Sequence, residues 1–175
     1  MALVLPALVL LPIAAKRQTI VPVNTRAAAI SGLEYQSVRG RPLDPSNPVD
    51  ARILKGLPAG ERPAGKRAVL FGAFFTIADH STRPLPTAAR IELRDDALHV
   101  SRPLSLPAGN PYAYRPQTLG PGAQVPRSGT PAADDLGAEG ELLLFRVPAW
   151  QTRNGGFELV VHDPLHPGVT RTVQL

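Results

Sequence analysis

Proline recurs along this chain, and together with glycine it punctuates the sequence into short segments. With 20 Pro and 15 Gly among 175 residues, backbone donors are missing or φ is unconstrained at short intervals throughout. That level exceeds ordinary usage yet stays below low-complexity disorder, and 43% apolar residues are enough to build a core. The expectation is one domain of short strands with flanking segments. The chain has no cysteine, which excludes a disulfide framework, a lipid-modified cysteine, iron–sulfur clusters and thiolate zinc sites.

Charge is unevenly placed. The formal net charge is +5, and the basic excess falls between Met1 and Arg67, whereas Ala68 to Leu175 is close to neutral. The body of the domain therefore lacks the basic balance of a polyanion binder, and nucleic acid is not an expected partner. Met1 to Ala15 (MALVLPALVLLPIAA) is uncharged, strongly apolar and followed by Lys16 and Arg17. It is short for a membrane span and lacks the basic flank that precedes a secretory signal. A processed signal, the outer part of a membrane anchor, and an apolar strand pair buried in the domain all fit it. The anchor ranks first because the run shows no amphipathic period. The basic pair on its C-terminal side argues for the opposite orientation.

Residues 16–29 read as a connector and residues 30–175 as the domain, divided into 30–67 and a main part, 68–175. Ile30 to Val38 alternates as a half-wet strand. Asn47-Pro48, Asp50 and Gly56 supply the cap, first-turn residues and stop of one short helix, Pro48 to Lys55. Ala68 to Ala78 (AVLFGAFFTIA) is the strongest strand signal, apolar enough to be covered on both faces. Ala88 to Leu93 and Ala97 to Val100 form a hairpin about Arg94-Asp95-Asp96. Ser101 to Leu136 is a Pro-rich excursion, with Asn110 to Arg115 as a brief edge strand. Strands over Gly140 to Val147, Gly156 to His162 and Val169 to Leu175 complete an all-β antiparallel sandwich or small barrel. Core candidates are Leu70, Phe74, Ile91, Leu93, Leu142, Leu144, Phe157, Leu159 and Val161, with Trp150 plugging one end.

Several of these segments carry a family pattern. Leu119-Gly-Pro-Gly122, Gly140, Leu144-Phe145-Arg146-Val147-Pro148, Phe157-Glu158-Leu159-Val160-Val161 and the final Val169 to Leu175 strand resemble the C-terminal half of a family of bacterial secreted, immunoglobulin-like domains of unknown function. The upstream order, a strong strand, a turn with Pro84 to Pro86, then Ile91-Glu92-Leu93-Arg94-Asp95, is similar too. The likeness covers about residues 68–175. It departs at Ala78-Asp79-His80, where the family often ends its strand in asparagine. The resemblance implies an immunoglobulin-like β-sandwich and an exported or membrane-anchored, extracytoplasmic location, and it brings no catalytic residues.

Candidate chemistry is sparse. No G-x-S-x-G, H-E-x-x-H or Walker-type run is present, and Asp95-Asp96 and Asp134-Asp135 read as turn formers. Tyr112 and Tyr114, placed on one face of an extended segment with Arg115 beside them, form a candidate ligand- or partner-binding surface; otherwise they lid the core. His162 and His166 are the candidate metal ligands of a rival reading, although Pro164 and Pro167 place them in a turn. The expectation is a non-catalytic extracytoplasmic interaction module without a cofactor, its partner an envelope protein or a membrane surface. The rival is a metal- or small-ligand-binding envelope protein.

Overall fold

A computed structural model describes residues 26–63, 66–154 and 156–175, so the segment expected as an anchor, Met1 to Ala15, lies outside the described residues. The described chain opens with a hairpin, β1 (Ala27–Ile30) and β2 (Leu33–Leu43), about Ser31-Gly32. Both turn residues have positive φ, 51° and 94°, as a two-residue hairpin matched to strand twist requires. β1 therefore begins inside the stretch expected as a connector. The single strand expected over Ile30 to Val38 is a turn followed by a longer strand, because pairing with β2 overrides the weak strand preference of three alanines.

The helix forms where its caps predict. In α1 (Pro48–Ile53) the Asn47 Oδ1 accepts the Val49 N–H at 2.9 Å, and Gly56 at φ 82° turns the chain away. Next come β3 (Ala68–Asp79), β4 (Leu85–Pro86), β5 (Ile91–Asp95) and β6 (Val100–Ser101). After them lie β7 (Thr118–Leu119), β8 (Gln124–Val125), α2 (Pro131–Asp134) and β9 (Glu141–Pro148). The last elements are α3 (Gln151–Asn154), β10 (Phe157–His162) and β11 (Thr170–Gln174).

The fold is all-β, and every ladder between these strands is antiparallel. The first sheet runs β1-β2-β3 and continues on the far side of β3 with β9 and then β8. The second runs β11-β10-β5-β6, and β4 pairs with β7. Alternation along β3 sends Phe71, Ala73, Phe75 and Ile77 toward the second sheet, where they meet Ile91, Leu93, Phe157, Leu159, Val161 and Val173. The ring centroids of Phe71 and Phe157 are 4.6 Å apart across this gap. Leu70 and Phe74 face the other way and pack with Leu142 and Leu144 beneath Ile53, Leu54 and Leu57 from α1 and the turn after it. β3 is thus covered on both faces, and all nine core candidates are buried.

The Pro-rich excursion has a definite task here. Leu104 N–H donates to the Leu144 carbonyl, Leu142 N–H to the Tyr112 carbonyl and Tyr114 N–H to the Leu142 carbonyl, so this segment covers the outer edge of β9. An open strand edge is a template for another chain, and a proline-rich cover closes it without offering a new one.

Trp150 does not plug the sandwich, since half of its surface (52%) is exposed. Buried Gln151 takes that place, its Nε2 donating to Asp95 Oδ2 at 2.8 Å. A tight turn after Pro148 aims the indole outward, against the His99 ring.

Phe74 has no exposed surface and belongs to the outer core. Phe74→Ala is expected to cost about 3–5 kcal/mol in equilibrium denaturation, the range for a fully buried aromatic truncation.

Candidate functional site

β5 turns Ile91 and Leu93 inward and leaves Glu92 and Arg94 on the outer face of the second sheet. Arg94 pairs closely with Glu158 of β10, opposite it in the ladder. Glu92 gathers more partners. Arg90 Nη2 lies 3.0 Å from its Oε1, His162 Nε2 lies 3.0 Å from its Oε2, and Arg102 Nε stands 3.8 Å from Oε1. The His162 N–H donates to the Arg90 carbonyl, which sets those two side chains beside Glu92. Burial pushes the Glu92 carboxyl up, but hydrogen bonds from His162 and Arg90 outweigh it and hold the group below its ordinary range.

Two depressions adjoin here and share Ala89, Ile91 and Pro103 as walls. One, about 370 Å³, holds Arg90, Glu92 and Arg102. The other, about 210 Å³, lies between the two legs of the excursion and is walled by Leu104, Tyr114 and Arg115. Arg115 Nη2 donates to the Leu106 and Pro107 carbonyls at 2.7 and 2.6 Å, and no carboxylate pairs with it among the described residues. The result is an apolar-floored groove with arginines at both ends. A third hollow of about 500 Å³, beside the end of β2, is lined mainly by Pro42, Leu43, Pro45 and Pro63, with Asp44 and Arg62 as its charged residues.

The predicted tyrosine surface is corrected by the structure. Tyr112 and Tyr114 are both buried and enter different cores, Tyr112 the outer one and Tyr114 the one between the sheets. Their segment makes a single bridge, Ala113 to Leu142, so strand alternation does not carry through it. The Tyr112 hydroxyl donates to Asp135 Oδ2 at 3.0 Å. The Tyr114 hydroxyl donates to the Ala88 carbonyl at 2.7 Å, while the Ala88 N–H donates to the Tyr35 hydroxyl, also at 2.7 Å. Burial is the main cause that pushes both phenols up, Tyr35 to about 12. Of the expected trio only Arg115 presents its side chain to solvent.

The two histidines are not brought to a common site. His162 engages Glu92, whereas His166 Nδ1 lies 2.9 Å from Asp163 Oδ2, with Ser31 Oγ 3.1 Å from the same nitrogen. His80 and His99 pair with Glu34 and Asp95. Each ring has its own carboxylate, and no group of three or more His, Cys, Asp or Glu side chains placed for a metal occurs among the described residues. Sequence reasoning missed Glu92 as the centre of a cluster. Its position in an alternating strand and its i−2 neighbour Arg90 were visible, but His162 reaches it only through the β5–β10 pairing and Arg102 through the path of the chain after β6.

No family model and no curated protein matches this chain. Among solved structures it is similar to a candidate lipoprotein, YcdA, of Bacillus subtilis, with a TM-score of 0.53 and 9% identity over 87% of this chain. The match spans 38% of the length of that protein. At this identity the likeness shows a shared fold.

The buried tyrosines give a first test. Tyr114→Phe leaves the Ala88 carbonyl without its partner inside the core and is expected to cost about 1–3 kcal/mol in denaturation experiments, with Tyr112→Phe costing less.

A second test uses pH. Burial raises the Asp163 carboxyl, but hydrogen bonds from Ser31, the Leu165 N–H and His166 overcome it and bring the value from the ordinary 3.8 to about 2. A depressed acid contributes stability above its unfolded pKa, and that contribution is lost as pH falls through its folded value. Half-buried Glu141, with no hydrogen-bond partner among the described residues, is pushed up by burial from 4.5 to about 7. Its ionisation therefore removes stability as pH rises through 7. The denaturation midpoint is expected to peak between pH ~4 and ~5 and to fall on both sides. Asp163→Asn should flatten the acid limb and Glu141→Gln the limb toward neutral pH.

Proposed function

We propose that this chain is a non-catalytic, extracytoplasmic interaction module of the immunoglobulin-like type, exported or tethered at the membrane, that binds an acidic extended segment of an envelope partner in the arginine-ended groove. The observation that carries the reading is the groove itself, with Arg90 and Arg102 at one end, Arg115 at the other and an apolar floor between them. Guanidinium groups recognise carboxylates through paired hydrogen bonds, and an apolar floor accepts the body of the ligand.

Binding is favoured over catalysis by the state of the polar groups. Glu92 is kept ionised by its partners, which suits it to orient arginines and unsuits it as a general acid or base near neutral pH. The immunoglobulin-like reading is supported by the route of the chain. It passes from β3 in the first sheet to β5 and β6 in the second, returns to β9 in the first, and ends with β10 and β11 in the second. An envelope location is supported by the apolar run Met1 to Ala15 and by the fold shared with the candidate lipoprotein of Bacillus subtilis. No helix among the described residues is long and apolar enough to cross a membrane.

Titration with an extended peptide carrying glutamates, beside its glutamine counterpart, tests the groove. The acidic peptide should bind, and binding should weaken with added salt and with Arg102→Glu/Arg115→Glu. Equal behaviour of the two peptides, or indifference to the double reversal, would discard this reading. Fractionation with protease accessibility from outside the cell tests the location, and a protected cytoplasmic chain would discard that part.

A further inference from the structure

The end of the sandwich that carries Trp150 gathers several exposed large apolar side chains in one place. Leu98 is 70% exposed, Val100 55% and Trp150 52%, and the His99 ring stands edge-on to the indole with centroids 5.8 Å apart. These residues sit at the tip of the β5–β6 hairpin and in the turn after β9. Asp95 ties the two together by accepting from Gln151 and holding His99.

The hairpin turn makes the exposed leucine more telling. Leu98 N–H donates to the Asp95 carbonyl and Asp95 N–H to the His99 carbonyl, with Leu98 at φ 66°. This is a three-residue turn whose last position is normally glycine. A leucine there is strained, and its side chain finds no cover.

Cations stand beside the turn that carries Trp150. The Ala149 N–H donates to the Arg67 carbonyl, which places Lys66 and Arg67 beside the turn, and Arg153 lies in α3, three residues after Trp150; all three side chains are exposed. The nearby acid Asp96 is engaged by the Gly156 N–H.

We infer that this tip is a lipid-contacting surface, with Leu98 and Val100 entering the headgroup–acyl boundary of an anionic bilayer, Trp150 at headgroup depth, and Lys66, Arg67 and Arg153 against lipid phosphates. An exposed apolar tip with a tryptophan and cations beside it matches the polarity profile of a bilayer interface. The inference rests on the reading of the chain as an envelope protein and is independent of the groove.

Trp150 is the only tryptophan, so its emission reports the tip directly. The full chain is mixed with vesicles of phosphatidylglycerol and phosphatidylcholine, or of phosphatidylcholine alone, each with chain-brominated lipid. Because Met1 to Ala15 could itself recruit the chain, the depth of Trp150 is read rather than co-sedimentation. Blue-shifted emission quenched severalfold more in the anionic vesicles is expected. Leu98→Gly should reduce that quenching while leaving Tm unchanged or higher, because it removes both the apolar side chain and the strain. Emission unaffected by anionic vesicles would overturn the inference and leave the tip to a protein partner; so would equal quenching in both vesicle types, or quenching indifferent to Leu98→Gly. Fractionation separates the failures: an envelope-located chain with an unquenched Trp150 refutes the lipid contact alone.

Discussion

The backbone of Ala88 is the point on which the two-sheet arrangement depends. It lies in the irregular crossing between β4 and β5, fully buried, where no ladder can serve its polar groups. A buried amide without partners costs more than a typical hydrogen bond returns, so the crossing can pass through the core only if something else satisfies it. Two tyrosines do so from distant parts of the chain, Tyr35 accepting from the N–H and Tyr114 donating to the carbonyl. Phe75 lies beside both rings, stacked with Tyr35 and edge-on to Tyr114. One buried polar contact thus joins the N-terminal hairpin, the crossing segment and the Pro-rich excursion to the central strand.

Much of the scaffold was legible because its signals are local. Asn47-Pro48 and Gly56 marked the helix ends, and the apolar density of Ala68 to Ala78 marked a strand with no wet face. The core candidates were right as a set, yet sequence could not divide them. Ile91 and Leu159 belong between the sheets, while Leu70 and Phe74 belong under α1, and that division depends on which layer covers each face of β3. The site was less legible for the same reason. Tyr112 and Tyr114 carry the spacing of a shared face, but one bridge to Leu142 does not make a strand, and each ring follows the cavity it fills. Trp150 was assigned to the interior on size alone, whereas the tight turn between β9 and α3 directs it outward.

Charge follows a consistent plan across the second sheet. Every histidine stands against its own carboxylate, and the arginines of the outer face are matched by Glu92 and Glu158 in the ladder itself. An exposed pair such as His80 with Glu34 adds little stability, whereas the buried carboxylates Glu92, Asp95 and Asp163 need their partners and fix where those side chains point. Among the described residues, the cations without an ion pair include Arg115, which lines the groove, and Lys66, Arg67 and Arg153, which stand near the turn that carries Trp150. Both features sit on connections held by a rigid sheet framework, where recognition commonly resides.

The pairing of β3 with β9 also governs when the molecule can fold. The most apolar strand is synthesised early, but its neighbour on one side, from Glu141 opposite Phe75 to Pro148 opposite Ala68, comes only after the whole excursion has been made. Contacts this far apart in sequence slow collapse to a native state, because the intervening loop must close before any burial rewards it. A nascent chain of this topology cannot complete its central sheet until its last third has emerged, so the apolar face of β3 waits uncovered for most of synthesis.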